Sequence, residues 1–145
     1  MKVFFDTTVL VAASERAHPH FPQAKSVLLR VARAEERGFV GAHSIAEVFA
    51  ALTRLPVQPR VHPAEAMRIV VDNILPHFEI VSLGVDDYVA TLGQTASGGW
   101  IGAKIYDALL VRCAAKCEAE RVYTLNVTDF RRLASPALQS KICSP

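Results

Sequence analysis

Apolar positions along this 145-residue chain fall into two alternating kinds of run. Short β-like stretches occur at Val3 to Phe5, Phe39-Val40, Glu79 to Ser82 and Arg121 to Leu125, with Ile142-Cys143 as a last edge strand. Between them the apolar residues recur at helical spacing, which predicts helices over Thr7 to Ala13, Phe21 to Arg37, His43 to Arg54, Ala64 to Leu75, Val85 to Ala96, Ala103 to Ala119 and Asp129 to Leu133. Gly38 reads as the stop of the second helix. Pro56, Pro59 and Pro63 mark a surface connection, and Ser97-Gly98-Gly99 a flexible turn. Alternation of this kind predicts an α/β fold with a parallel sheet and helices on both faces. The continuous apolar run of the first strand fits a strand buried on both sides. No repeat, low-complexity tract or linker interrupts the pattern, and the length suits one domain over residues 1–145.

Four acidic residues stand at junctions of this pattern. Asp6 closes the first strand, Glu47 and Asp107 fall in the first turns of helices, and Asp129 follows the strand ending at Leu125. In a parallel α/β domain, strand carboxyl ends and the first turns of the following helices share one edge of the sheet. Carboxylates far apart in sequence therefore meet there. They repel one another, and a hard cation is the usual remedy.

Each position also has a structural reading. Asp6, in Phe5-Asp6-Thr7-Thr8-Val9-Leu10, suits a helix cap as well as a cation site, since Asp and Thr both satisfy free amides. Ser44 and Glu47 have capping-box spacing. Asp107, in Lys104-Ile105-Tyr106-Asp107-Ala108-Leu109-Leu110, is costly to bury alone, and Lys104 one turn earlier offers a salt bridge. In Thr124-Leu125-Asn126-Val127-Thr128-Asp129-Phe130, either Asn126 or Asp129 faces the cleft, and Asn126 or Thr128 caps the helix in the competing reading.

Composition narrows the setting. The chain is 51% hydrophobic and 21% charged, with a mean hydropathy of +0.24, which excludes a disordered chain and favours a buried partner or oligomer surface. No apolar run is long enough for a membrane span and no signal peptide is apparent, so the expected location is the cytoplasm. A net charge of +2 does not mark a nucleic-acid binder. Seven Lys or Arg against four acids follow from Trp100 onward, however, with Arg131-Arg132 just after Asp129. The three cysteines argue against a disulfide framework, and Cys113 and Cys117 lack the further ligands zinc needs. His18 and His20 fall in a loop.

Together, Phe5-Asp6-Thr7-Thr8, Ser44-x-x-Glu47, Tyr106-Asp107-Ala108-Leu109 and Thr124-x-Asn126-x-x-Asp129-Phe130 resemble the PIN-domain family, and within it the VapC-like toxin ribonucleases of type II toxin–antitoxin systems. The resemblance runs through nearly the whole chain. It implies a three-layer α/β/α sandwich around a parallel sheet of four to five strands, usually in a homodimer. It also implies Mg²⁺ or Mn²⁺ bound by Asp6, Glu47, Asp107 and Asp129, with Thr7, Asn126 and Thr124 as accessory groups, and a VapB-like antitoxin as partner.

Oxygen-only ligands agree with Mg²⁺ or Mn²⁺ over zinc. Such a site points to hydrolysis of a phosphodiester in single-stranded or looped RNA. Lys104, Arg131 and Arg132 are candidates for flanking phosphates and Trp100 for stacking a base. A haloacid-dehalogenase-like phosphatase would need a second Asp where Thr8 stands, and a receiver-type switch would need paired acids after the first strand. The remaining alternatives are a PIN nuclease of RNA processing or DNA metabolism, and a PIN domain that binds without cutting.

Overall fold

A computed structural model describes all 145 residues. Five parallel strands, β1 (Lys2–Phe5), β2 (Arg37–Gly41), β3 (Phe78–Val81), β4 (Arg121–Tyr123) and β5 (Ile142–Cys143), form one sheet in the order β3-β2-β1-β4-β5. Helices α1 (Thr7–Ser14), α2 (Phe21–Ala32), α3 (Ala42–Arg54) and α4 (Pro63–Arg68) precede β3 in sequence. Helices α5 (Val85–Ser97) and α6 (Lys104–Lys116) lie between β3 and β4, and α7 (Val127–Leu133) and α8 (Pro136–Gln139) between β4 and β5. The result is the α/β/α sandwich that the hydrophobic pattern and the resemblance implied.

Strand pleating sorts the core into two layers. Val3, Phe5, Val40 and Tyr123 face α1, α2, α3 and α4. Phe4, Phe39, Val122 and Ile142 face α6, α7 and α8. The central strand β1 is fully buried from Val3 to Phe5, which explains its unbroken apolar run. From β1 the chain builds outward through β2 to β3, then crosses back to lay β4 against the other edge of β1. That reversal opens a crevice at the carboxyl ends of β1 and β4, the place where such sheets hold ligands.

Several element boundaries differ from expectation. Helix α2 ends at Ala32 instead of Arg37, because Ala34 turns left-handed at φ 58°. The amides of Ala34 and Glu35 close back onto the Val31 and Arg30 carbonyls, a Schellman ending without its usual glycine. Helix α6 stops at Lys116 the same way, with Glu118 at φ 56° and the Glu118 and Ala119 amides on the Ala115 and Ala114 carbonyls. The Ser97-Gly98-Gly99 turn, expected to be flexible, is a third such ending. There Gly99 takes φ 73°, and the Gly99 and Trp100 amides bond the Ala96 and Thr95 carbonyls at 3.0 and 3.1 Å.

The segment expected as one helix to Leu75 begins at Pro63 and continues from α4 as a π-helical stretch, Ile69–Ile74. Strand β4 ends at Tyr123, helix α7 starts at Val127, and α8 had no counterpart in the expectation. Gly38 stops no helix. It lies inside β2, where an added Cβ would stand 2.5 Å from Val31 Cγ1 and 2.7 Å from the Phe78 ring.

Two exchanges a few residues apart therefore have opposite expected signs. Gly38→Ala overpacks the contact among β2, α2 and β3 and should cost about 1–3 kcal/mol. Ala34→Gly relieves a left-handed alanine and should gain about 1 kcal/mol. Urea denaturation measures both, and equal midpoints for the two variants would contradict the packing described at either position.

Candidate metal and nuclease centre

The four junction acids meet at the crevice between β1 and β4. Asp6 directly follows β1 and precedes α1, and its side chain makes no cap hydrogen bond. Instead its Oδ2 accepts hydrogen bonds from the Thr8 hydroxyl at 2.6 Å and the Thr124 hydroxyl at 2.8 Å. Thr124, directly after β4, is fully buried and also takes the Asn126 amide at 2.9 Å. One threonine thus ties the two strand ends together. The Thr8 hydroxyl in turn accepts the Leu125 amide at 3.1 Å.

Glu47 sits in the second turn of α3, since that helix begins at Ala42 with Gly41 before it. Ser44 and Glu47 therefore form no capping box. The Thr7 hydroxyl lies 2.9 Å from the buried Ser44 Oγ and donates to Glu47 Oε1 at 3.2 Å. His43 Nε2 is 3.8 Å from the same carboxylate, and its ring stacks on Tyr106 with centroids 5.2 Å apart. These two rings wall one side of the cleft. Nothing in the sequence pattern pairs them, because they lie on different helices.

Asp107 and Asp129 open α6 and α7 from the other layer. The Asn126 amide nitrogen spans them, 3.5 Å from Asp107 Oδ2 and 3.1 Å from Asp129 Oδ2. Asn126 and Asp129 thus both face the cleft. The Lys104 ammonium pairs with Asp129 and lies 3.9 Å from Asp107 Oδ2. The salt bridge expected between Lys104 and Asp107 is thus directed chiefly at Asp129.

Protonation equilibria register the crowding. Asp6 is pushed above the usual carboxylate range, first by burial and then by Glu47, against the pull of the Thr8 and Thr124 hydroxyls. Burial raises Glu47 as well, with Asp107 adding to it and His43 and Thr7 opposing. Asp107 is raised by burial and then by Asp6 and Asp129, while Lys104 and Asn126 counteract. Asp129 alone is lowered, held ionised chiefly by Lys104 and then Asn126. Asp107 is therefore within electrostatic reach of all three other acids.

This donor set suits a hard cation in kind: carboxylates and hydroxyls, with no thiol among them. As placed, no three acidic, His or Cys side chains are close enough together to enclose an ion.

The other sequence candidates divide. Arg131 turns away from the cleft and donates to the Ile142 carbonyl at 2.8 Å. Arg132 and Trp100 border a cavity on the neighbouring face of α6. Cys113 is buried, with its thiol pushed up to about 12 by burial, and so is no nucleophile. All three cysteines are free.

The PIN domain family model matches residues 3–136. No protein of curated function matches the sequence. Among solved structures, the fold is similar to VapBC2 from Rickettsia felis bound to a DNA fragment from its promoter, at a TM-score of 0.63 and 18% identity over 92% of this chain and 93% of that one. It is also similar to VapC20 of Mycobacterium tuberculosis, a sarcin–ricin loop cleaving toxin, at a TM-score of 0.69 and 13% identity over 88% of this chain and 92% of that one. At these identities the likeness is one of fold.

Raised carboxylates fix the sign of a stability measurement. At Asp6, Glu47 and Asp107 the folded state holds protons more tightly than the unfolded chain. Between the ordinary carboxylate value and the raised one, stability without metal falls as pH rises. Asp107→Asn should flatten that fall and raise the melting temperature in EDTA near neutral pH, by about 2–4 °C per kcal/mol of repulsion removed. Thermal unfolding from about pH 4 to pH 8 tests this, and a variant less stable than the parent throughout would contradict it.

Proposed function

We propose that this chain, which belongs to the PIN domain family, is an Mg²⁺- or Mn²⁺-dependent endoribonuclease that cuts single-stranded or looped RNA. The observation that carries the reading is the position of Asp107, within electrostatic reach of Asp6, Glu47 and Asp129 at the crevice of the sheet. Such a cluster costs stability and is explained by the charge it is built to receive.

In this reading Asp6, Glu47, Asp107 and Asp129 hold the cation. Bound there, it would neutralise charge on the scissile phosphate and lower the pKa of an attacking water. The chain's own residues prepare the cleft for that. Thr8 and Thr124 fix the Asp6 carboxylate, Thr7 fixes Glu47, and Asn126 keeps Asp107 and Asp129 in register. Lys104 offers a positive charge at the rim, where a phosphate oxygen can draw it from Asp129. No covalent enzyme intermediate is required.

The fold shared with VapBC2 and VapC20 supports a toxin of a type II toxin–antitoxin pair, acting in the cytoplasm on RNA and restrained by a VapB-like antitoxin. No helix is long and apolar enough to cross a membrane. Exposed apolar residues on α5, Val85, Val89 and Leu92, with Met67 on α4 and Val71 on the π-helical stretch after it, support protein contacts that include a homodimer. A second reading, a PIN domain that binds nucleic acid without cutting, is favoured by the wide spacing of the acids and by the Lys104 ammonium among them.

Labelled RNA incubated with the purified chain separates the two. Cleavage in Mg²⁺ or Mn²⁺, lost in EDTA and reduced more than about 100-fold in Asp6→Asn, is the result expected of the nuclease. Asp6→Asn cutting at the parent rate would remove the acidic cleft from the reaction. Binding without cutting in every metal would leave the non-cleaving domain.

A further inference from the structure

A cavity of about 390 Å³ lies beside the acidic cleft, between α5, α6, α7 and α8. Its floor is apolar, with Ala108, Val111, Leu133 and Leu138. Its rim carries Trp100, Gln94, Arg112 and Arg132. Two short steps along the helices connect it to the acids. Ala108 follows Asp107 on α6, and Arg132 stands one turn, ~5 Å, beyond Asp129 on α7. Arg132 is near enough to Asp129 to help keep it ionised.

Local structure makes the tryptophan a rigid wall. The Schellman ending of α5 locks the Trp100 amide to Thr95, and the indole lies directly on Gly98. A Cβ there would stand 2.8 Å from indole Cδ1 and 3.0 Å from Nε1, so a larger residue would displace the ring. Thr91 and Thr95 spend their hydroxyl hydrogens on the carbonyls one turn back, at 2.7 Å each. The indole N–H, the Gln94 amide and the Arg132 guanidinium, by contrast, donate to no other group of the protein. Arg112 uses only Nε, on Asp87 at 3.0 Å, and Lys116 covers the other Asp87 oxygen at 2.8 Å. The terminal nitrogens of Arg112 remain free.

Packing alone explains an apolar contact of Trp100 with the end of α5, which Schellman endings usually have. It does not explain an open cavity of ligand size with an aromatic wall and two guanidinium groups. Those three features describe a flat, largely apolar body joined to an anion. We propose that the cavity is a subsite for one nucleotide of the RNA substrate next to the scissile phosphate, its base stacked on Trp100 and its phosphate held by Arg132 and Arg112. The assignment rests on the ribonuclease reading above. It gives that reading a source of substrate selection, because a nucleotide must leave the stack to enter.

Trp100 is the sole tryptophan, so its fluorescence reports on this cavity alone. The experiment titrates the cleavage-deficient Asp6→Asn protein with labelled single-stranded RNA, and separately with the four free nucleoside monophosphates. Label anisotropy and Trp100 emission are read together, and the titration is repeated in Asp6→Asn proteins that also carry Arg132→Gln or Trp100→Ala. The expected result is saturable quenching by RNA at the anisotropy midpoint, with affinity about tenfold weaker in each added variant. Arg132 is exposed, so Arg132→Gln remains informative even if Trp100→Ala fails to fold.

RNA that binds by anisotropy with Trp100 unchanged and Arg132→Gln at parental affinity would overturn the subsite and leave the nuclease standing. Monophosphates that bind tighter than RNA would make the cavity a free-nucleotide site and overturn the substrate assignment. No RNA binding by the parent would overturn both.

Discussion

Burial of Asp107 among three other acids is the constraint on which the crevice depends. The side chain interacts with Asp6, Glu47 and Asp129, which come from the β1–α1 junction, α3 and α7. The backbone of each of the four is anchored by neighbouring buried structure. Asp6 continues a strand with no exposed residue from Val3 to Phe5, and Glu47 rides on α3 beside the buried Val48. Asp107 precedes the buried run Ala108 to Val111, and Asp129 precedes the buried Phe130. Two apolar layers thus hold together a polar cluster that would separate on its own.

Hydroxyls and one amide give the cluster its shape. Thr8 and Thr124 aim Asp6 into the crevice, Thr7 reaches across to Ser44 and Glu47, and Asn126 joins the last two acids. These are short-range, oriented bonds, so they set positions without cancelling charge. Lys104 is the main compensating charge, directed chiefly at Asp129, with Arg132 assisting there and His43 acting on Glu47. Asp6, Glu47 and Asp107 are left raised, first by burial and then by one another. Beyond Asp129, Arg132 and Arg112 border the cavity beside Trp100, with Arg112 also paired to Asp87. Acid and base thus lie side by side along the ends of α6 and α7, an arrangement suited to a phosphate chain crossing both.

Much of this was legible in the sequence, for physical reasons. Strand β1 announced itself because burial on both faces demands an unbroken apolar run, and Asp6 stood out against it. The parallel order followed from the alternation of elements. Helix ends were less legible. Ala34 and Glu118 occupy left-handed positions where glycine is the usual signal, so α2 and α6 read too long. The Ser44–Glu47 spacing copied a capping box, yet the helix starts at Ala42, two residues before Ser44, with Gly41 at the cap position. Lys104 read as the partner of Asp107, three residues on, whereas its main partner lies 25 residues away across two helices. Distant pairings of this kind, like the His43–Tyr106 stack, depend on how helices cross, and periodicity carries no information about that.

The central claim is that the four acids exist to hold a divalent cation, and direct calorimetric titration of Mn²⁺ into the metal-free protein tests it without reference to any substrate. Saturable binding that releases protons, as raised carboxylates give them up, and that weakens in Asp107→Asn more than in a surface-acid control such as Glu118→Gln, is the result the account predicts. Absence of saturable binding at millimolar Mn²⁺, or equal affinity in Asp107→Asn and the parent, would contradict it.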